Sequence, residues 1–242
     1  MSKTGNQHLK SLRDGREVYL NGKKIDDVTK HPAFKNAVAA TANLYDFQSD
    51  PKNIEYMTFE SPTSKKRVNR CWQLTKSYDE LVLRRKSISS WAKLSAGWLG
   101  RSPDHIASSM VGQVMGLNVF ENHSPDRAKA LLDYFNWARD QDHYMTYVII
   151  NPQANRNKNI SEQKDEFLAT AVVDEDSEGI TVRGGKMLGT GSIMANEILF
   201  ANIQPLMPGE EKYAISFAIP MNTKGLKTVS YTHLTLPTNR CV

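Results

Sequence analysis

The sequence has few cysteines, no long apolar run and no apolar start. Of its 242 residues only Cys71 and Cys241 are cysteines, too few for a disulfide framework or a zinc cluster. No run reaches the roughly 18 apolar residues of a transmembrane helix. The first ten residues are polar and lack the apolar stretch of a signal peptide. These absences predict a cytoplasmic protein.

The pattern of charges and histidines excludes further classes. No two histidines stand at i and i+4 on one predicted helix, so we expect no metal site. The net charge of +5 comes from scattered cations without a nucleic-acid-binding motif. It indicates a solvated surface with some attraction for an anionic cofactor, and no nucleic acid or membrane as partner. A hydrophobic content of 40% fits one large or two modest globular domains.

The hydrophobic period changes once along the chain, from helical to alternating. Helices are predicted from His31-Pro32 to about Phe47, from the capping box at Ser77 to Gly97–Gly100, from Pro103 to about Phe120, and from Ser124-Pro125 onward. The second of these would carry one apolar face formed by Leu81, Ile88, Trp91, Ser95 and Trp98. Strands are predicted at about 144–150, 167–174, 180–188, 197–201 and 213–220. Turns are predicted at Asn21-Gly22 and at Asp176–Gly179. The fold class is therefore α+β, with a helical N-terminal domain (1–143) followed by a β-domain (144–227).

The stretch Gly97–His105 concentrates features that a plain connector does not need. Arg101 is a permanent cation, and Ser102-Pro103 is typical of a helix start. Asp104 and His105 would fall in the first turn of that helix, where the backbone favours an anion. An ordinary corner between two helices with a surface arginine is the alternative interpretation of the same residues.

Several motifs together resemble the oxygenase components of the 4-hydroxyphenylacetate 3-monooxygenase family. Gly100–His105 reads Gly-Arg-Ser-Pro-Asp-His, similar to the family signature Gly-Arg-Ser-Pro-Asp-Tyr. Ser11–Tyr19 and Asp27–Phe34 resemble its opening, Ile150–Arg156 its flavin-contacting loop, and Gly179–Ser192 a later β-segment. The similarity covers about residues 5–227, and the joint spacing is more specific than any one motif.

The resemblance implies a fold and a function. The fold would be acyl-CoA dehydrogenase-like, with an antiparallel, barrel-like β-domain and without the C-terminal helical bundle of that fold. The function would be the oxygenase component of a two-component monooxygenase, which hydroxylates a phenol such as 4-hydroxyphenylacetate ortho to its hydroxyl with O2 and reduced FAD. A separate NAD(P)H:flavin reductase would supply the flavin by diffusion, and the full-length protein would form a homo-oligomer.

The resemblance also implies the site residues. Arg101 would be the cation at the substrate hydroxyl, although a helix-capping or salt-bridged arginine is its plainer interpretation. His105 stands where much of the family has tyrosine, and Tyr147 stands where the family has histidine, so the two roles would be exchanged. His143 is a competitor for the base. Flavin contacts would come from four residues: Asn151, Gln153, Arg156 and Thr190.

The sequence leaves one alternative function open. The chain could be a non-catalytic remnant of the same fold that binds flavin or aromatics weakly. A related iron–sulfur dehydratase branch is disfavoured because Cys71 alone cannot hold a cluster. Residues 228–242 do not resemble the family and look like a translated adaptor tail, so we exclude them from the fold prediction and expect the native protein to continue past Lys227.

Overall fold

The computed structural model describes residues 2–152, 155, 157–203 and 205–230. Its seven α-helices within these residues are α1 (Gly5–Ser11), α2 (Lys35–Ser49), α3 (Ile54–Met57), α4 (Tyr78–Leu94), α5 (Asp104–Met115), α6 (Leu117–His123) and α7 (Pro125–Asp140). The strands of the same residues are β1 (Glu17–Leu20), β2 (Lys23–Ile25), β3 (Thr58–Glu60), β4 (Arg67–Asn69), β5 (Met145–Val148), β6 (Ala171–Asp176), β7 (Gly179–Arg183), β8 (Glu197–Phe200), β9 (Phe217–Pro220) and β10 (Lys227–Ser230). The α+β prediction, with helices before most strands, is confirmed.

Helices α4 and α7 start at the capping signals of the sequence, whereas α2 starts at Lys35, three residues after the predicted His31-Pro32. The Ser77 side chain accepts a hydrogen bond from Glu80 N at the start of α4, and that of Ser124 accepts one from Arg127 N ahead of α7. The predicted helix over 103–120 is instead two helices, α5 and α6, which meet at Gly116. Glycine stabilises a helix interior poorly, which accounts for a break at this position.

One predicted helix face was wrong. Trp91 of α4 is buried and its indole N–H donates to the carbonyl of Leu44 at 2.9 Å. Leu81, predicted on the same apolar face, is half exposed, and Trp98 is 90% exposed. Helix α4 ends at Leu94, and the turn that follows carries Trp98 away from that face.

The strands form four small sheets, and no closed barrel is present among the described residues. Their orders are β10-β1-β2, β3-β4, β5-β8-β9 and β6-β7. The predicted turns at Asn21-Gly22 and Asp176–Gly179 join β1 to β2 and β6 to β7, both antiparallel. The antiparallel prediction fails for β5 and β8, which pair in parallel with Met145 opposite Glu197. Parallel pairing is possible because a long crossover containing β6 and β7 separates the two strands.

The core that positions the site lies between helices α5 and α7 and strand β5. Ile106, Met110, Phe135 and Met145 are buried there together with Trp72. Burial of apolar surface contributes a free energy of about 25 cal/mol per Å², and this contribution stabilises the packing of α5 against β5. In the part of the chain described, no helix is both long and apolar enough to cross a bilayer.

Candidate active site

The candidate site forms where the loop before α5 meets strand β5. Nη1 of Arg101 donates to the carbonyls of Leu188, at 2.9 Å, and Tyr147, at 3.3 Å. The guanidinium carbon lies 4.0 Å from the centre of the Tyr147 ring. This is a cation–π contact, and it fixes the cation against the aromatic face. The helix-capping interpretation of Arg101 is not supported, because its guanidinium donates to carbonyls of two other segments.

His105 contacts the same tyrosine. The imidazole of His105 and the ring of Tyr147 are stacked, with centroids 5.3 Å apart and planes inclined by 16°. The structure therefore brings together all three residues predicted for catalysis. Arg101 and Tyr147 are half-buried and His105 is exposed, so the cluster opens on one side of the protein.

Ser102 departs from its predicted role at the helix start. Its hydroxyl donates to the carboxylate of Asp104 instead of capping a backbone N–H of α5. Its carbonyl accepts the hydrogen bond of His105 N at 3.0 Å. The turn therefore still holds His105 at the start of α5, through the backbone.

The scaffold of the site comes from residues that the sequence analysis missed. Tyr144 donates its hydroxyl to the carbonyl of Arg101, and Thr146 Oγ1 donates to the carbonyl of Thr190 at 2.6 Å. Alternation along a strand places these two side chains on the face opposite Tyr147. Gly191 has φ +83°, and a Cβ there would lie 2.7 Å from the Tyr144 hydroxyl. The aromatic and β-branched composition of residues 144–150, which predicts a strand, was the available signal.

The predicted flavin residues are described only in part. Thr190 is exposed beside the Leu188 carbonyl that holds Arg101. Asn151 Oδ1 accepts a hydrogen bond of 2.7 Å from Lys186 Nζ. Gln153 and Arg156 lie outside the described residues. Thr190 and Asn151 are thus on segments adjoining the cluster of Arg101, His105 and Tyr147.

The alternative base, His143, lies in a different environment. Its ring contacts Trp137, with centroids 4.7 Å apart. Burial lowers the pKa of His143 to about 4, so the imidazole is neutral at pH 7. His105 is the histidine that contacts Tyr147, which favours His105 over His143 as the base.

A buried acid lies in the same sheet as Tyr147. Glu197 of β8 accepts a hydrogen bond of 3.1 Å from the hydroxyl of Tyr134. Burial raises the pKa of Glu197 to about 7, against an ordinary value of 4.5. The folded chain therefore holds this proton in a pH range where the unfolded chain has lost it, so the free energy of unfolding falls as pH rises from about 4.5 to 7.

We expect the substitution Glu197→Gln to remove this pH dependence. Glutamine still accepts from Tyr134 but never ionises, so the variant should match the wild type at pH 5. At pH 8 it should be more stable by about 1 to 2 kcal/mol, less than the full shift implies because relaxation and water entry around the ionised carboxylate lower its cost. Urea unfolding at both pH values measures the difference. The exposed Glu121→Gln is the control, and equal pH slopes for wild type and Glu197→Gln would contradict the assignment.

Comparison with known proteins identifies the family. The family model described as 4-hydroxyphenylacetate 3-hydroxylase N terminal matches residues 4–239. The chain belongs to this 4-hydroxyphenylacetate 3-hydroxylase family. The motif resemblance found in the sequence is thereby confirmed.

Relatives within the hydroxylase family include named enzymes. The chain is 36% identical over 231 residues to a 4-hydroxyphenylacetate 3-monooxygenase oxygenase component of Geobacillus, covering 94% of this chain and 46% of that protein. It is 36% identical over 225 residues to the oxygenase component of a Rhodococcus 4-nitrophenol 2-monooxygenase, with coverages of 93% and 42%. The chain thus spans less than half the length of these relatives.

A solved structure shows the same fold. The oxygenase component (HpaB) of 4-hydroxyphenylacetate 3-monooxygenase, complexed with FAD and 4-hydroxyphenylacetate, superposes with a TM-score of 0.86 at 33% identity. The match covers 94% of this chain and 46% of that one. The hydroxylase-family match includes part of the predicted tail, and residues 228–230 lie in β10, which pairs with β1. The domain limits and the tail assignment stay predictions.

Proposed function

We propose that this chain is the N-terminal part of the oxygenase component of a two-component, flavin-dependent monooxygenase. The substrate would be a para-substituted phenol such as 4-hydroxyphenylacetate, hydroxylated ortho to its hydroxyl. The convergence of Arg101, His105 and Tyr147 carries this proposal. A fixed cation beside a titratable group is what stabilises a phenolate, and a phenolate makes the ring rich in electrons.

Each of the three residues has a distinct proposed task. The guanidinium of Arg101 stabilises the negative charge of the phenolate oxygen. Its Nη1 donates to the Leu188 and Tyr147 carbonyls. Among the described residues Nε and Nη2 have no acceptor, so their N–H groups can donate to the substrate. His105 accepts the phenol proton, since a neutral imidazole carries a ring nitrogen with a free lone pair. Tyr147 orients the imidazole by stacking and can donate its own hydroxyl to the substrate.

The residues fit a flavin beside this cluster. Reduced FAD with O2 would supply the oxygen atom that enters the ring. Thr190 presents an exposed side chain while its carbonyl is held by Thr146, so the position is fixed and accessible. Asn151, Gln153 and Arg156 are the other proposed flavin residues. An exposed His105 needs a cover to exclude water, which is consistent with a chain that spans under half of its relatives' length.

The proposed partners follow from the same scheme. A separate NAD(P)H:flavin reductase would deliver reduced FAD by diffusion, and the oxygenase would act in the cytoplasm as a homo-oligomer. The oxygenase-component names of the Geobacillus and Rhodococcus relatives support a two-component system.

The direct test is an assay of hydroxylation. The purified chain is mixed with a flavin reductase, NADH, FAD and 4-hydroxyphenylacetate in air, and the catechol product is measured by chromatography. A full-length Geobacillus-type oxygenase serves as the positive control. Catechol formation supports the proposal. A folded chain that gives no catechol beside an active control favours the alternative, a non-catalytic remnant that binds flavin or aromatics.

The exchange of His105 and Tyr147 has its own test. We expect His105→Ala to slow hydroxylation by about 100-fold or more, because a positioned general base contributes roughly 10²–10⁴ in rate. Tyr147→Phe keeps the ring stack and should cost less. The exposed His123→Ala is the control. Full activity of His105→Ala would refute a role for this imidazole as the base.

A further inference from the structure

Lys186 is a half-buried cation next to the candidate site. Its Nζ donates to Asn151 Oδ1 at 2.7 Å and to Asn202 Oδ1. The three residues come from three segments: the end of the strand region after β5, the chain after β7, and the chain after β8. The ammonium group therefore lies where three segments that are distant in sequence meet in the fold.

The acceptors of this ammonium group among the described residues are neutral. Both acceptors are amide oxygens, and among the described residues no carboxylate lies within ion-pair distance of Lys186. Burial lowers the pKa of Lys186 to about 8, with no opposing effect from a nearby acid. An ammonium has three N–H donors, and the described residues occupy two of them. A cation held in this way is suited to a negatively charged ligand.

The position of Lys186 ties it to the proposed reaction. Met187 N donates to the carbonyl of Ile150 at 2.8 Å, which joins this segment to the predicted flavin loop. Two residues after Lys186, the Leu188 carbonyl binds Arg101. One short segment thus connects the ammonium group to the cation proposed for the phenolate.

We infer that Lys186, positioned by Asn151 and Asn202, binds an oxyanion of a ligand in the candidate site. This inference rests on the proposed function, which offers two sources of such a group. One is the carboxylate on the para substituent of the phenol, and the other is the phosphate of the flavin. The first would make Lys186 a residue that selects acidic phenols, and the second would make it a flavin-binding residue.

The test compares charged ligands with neutral counterparts by calorimetric titration, without reductase or O2. The pairs are 4-hydroxyphenylacetate with 4-methylphenol, and oxidised FAD with riboflavin. In Lys186→Met we expect one charged ligand to bind 10- to 100-fold more weakly while its neutral counterpart is unchanged. Loss confined to the first pair identifies the carboxylate, and loss confined to the second identifies the phosphate.

Two further variants separate binding from folding. Lys186→Arg keeps the charge and should retain most of the affinity, which covers the case in which Lys186→Met fails to fold. Lys212→Met is the matched control, because Lys212 is already paired with Glu166 at 2.6 Å. Equal losses for charged and neutral ligands would show a structural role and overturn the inference. The inference would also be overturned if the wild-type chain bound neither charged ligand more tightly than its neutral counterpart. If the chain does not hydroxylate phenols, these affinities can still be measured. Failure of the proposed function is therefore distinguishable from failure of the inference about Lys186.

Discussion

Replacing Gly184 with alanine is expected to be among the most destabilising single substitutions in the chain. Gly184 follows β7 with φ +123°, a conformation that side chains rarely adopt. An added Cβ would lie 2.1 Å from the Ala169 carbonyl oxygen and 2.8 Å from Thr170 N. Both atoms are backbone, so the clash cannot be relieved by turning a side chain. The next residue, Gly185, forms an isolated β-bridge with Ala169, which holds the two backbone segments close together.

We expect Gly184→Ala to cost about 3 kcal/mol or more, since it adds an overpacking penalty to backbone strain. For a domain of this size that corresponds to a fall of roughly 6–12 °C in the melting temperature. Thermal unfolding followed by circular dichroism measures it. Gly209→Ala is the control: Gly209 has φ +92° with nothing within 4 Å of an added Cβ. It should show the strain alone, about 1 kcal/mol. Equal losses in both variants would contradict the backbone clash.

Local signals explain which parts of the fold were predictable. The caps at Ser77 and Ser124 and the turn at Asn21-Gly22 act within a few residues, and the two helices and the turn itself were predicted. Strands β1 and β2 on either side of that turn were not predicted. Helix α1 was missed although Thr4 and Gln7 form a complete capping box, because the segment is polar and lacks an apolar stripe. Its stability comes from packing on α2, where a Cβ at Gly5 would lie 2.5 Å from the Ala42 carbonyl.

The sequence indicated which side chains form the site but not which backbone carbonyls hold them in place. Arg101, His105 and Tyr147 were singled out because their motifs resemble the hydroxylase family. The contacts that hold them are largely made by carbonyls, of Leu188, Thr190 and Arg101 itself. Every residue has a carbonyl, so no residue type marks which of them will be used. The parallel pairing of β5 and β8 is non-local in the same way, and so is the junction around Lys186.

Replacement of Arg101 is expected to have the largest effect on the proposed reaction. The geometry uses both the charge and the shape of the guanidinium: Nη1 bridges two carbonyls while the plane lies over the Tyr147 ring. Loss of a single fixed donor to a developing oxyanion costs about 10²–10³ in rate. Arg101→Gln should therefore lose at least this factor in kcat/KM for phenol hydroxylation.

Comparison with Arg101→Lys separates charge from geometry. Lysine keeps the cation but has one compact donor group, which cannot satisfy both carbonyls and the substrate as the guanidinium does. We expect it to recover only part of the lost activity, about tenfold over Arg101→Gln. Arg13→Gln is the control, because Arg13 pairs with Asp27 on the surface.

The ionisation of the bound phenol gives a second readout. In titrations followed by ultraviolet absorbance, the bound phenol should lose its proton at lower pH in the wild type than in Arg101→Gln. An unchanged ionisation with lost activity would mean that Arg101 positions the substrate and does not stabilise its charge. Activity retained in both variants would remove Arg101 from the site, and with it the observation on which the proposed function rests.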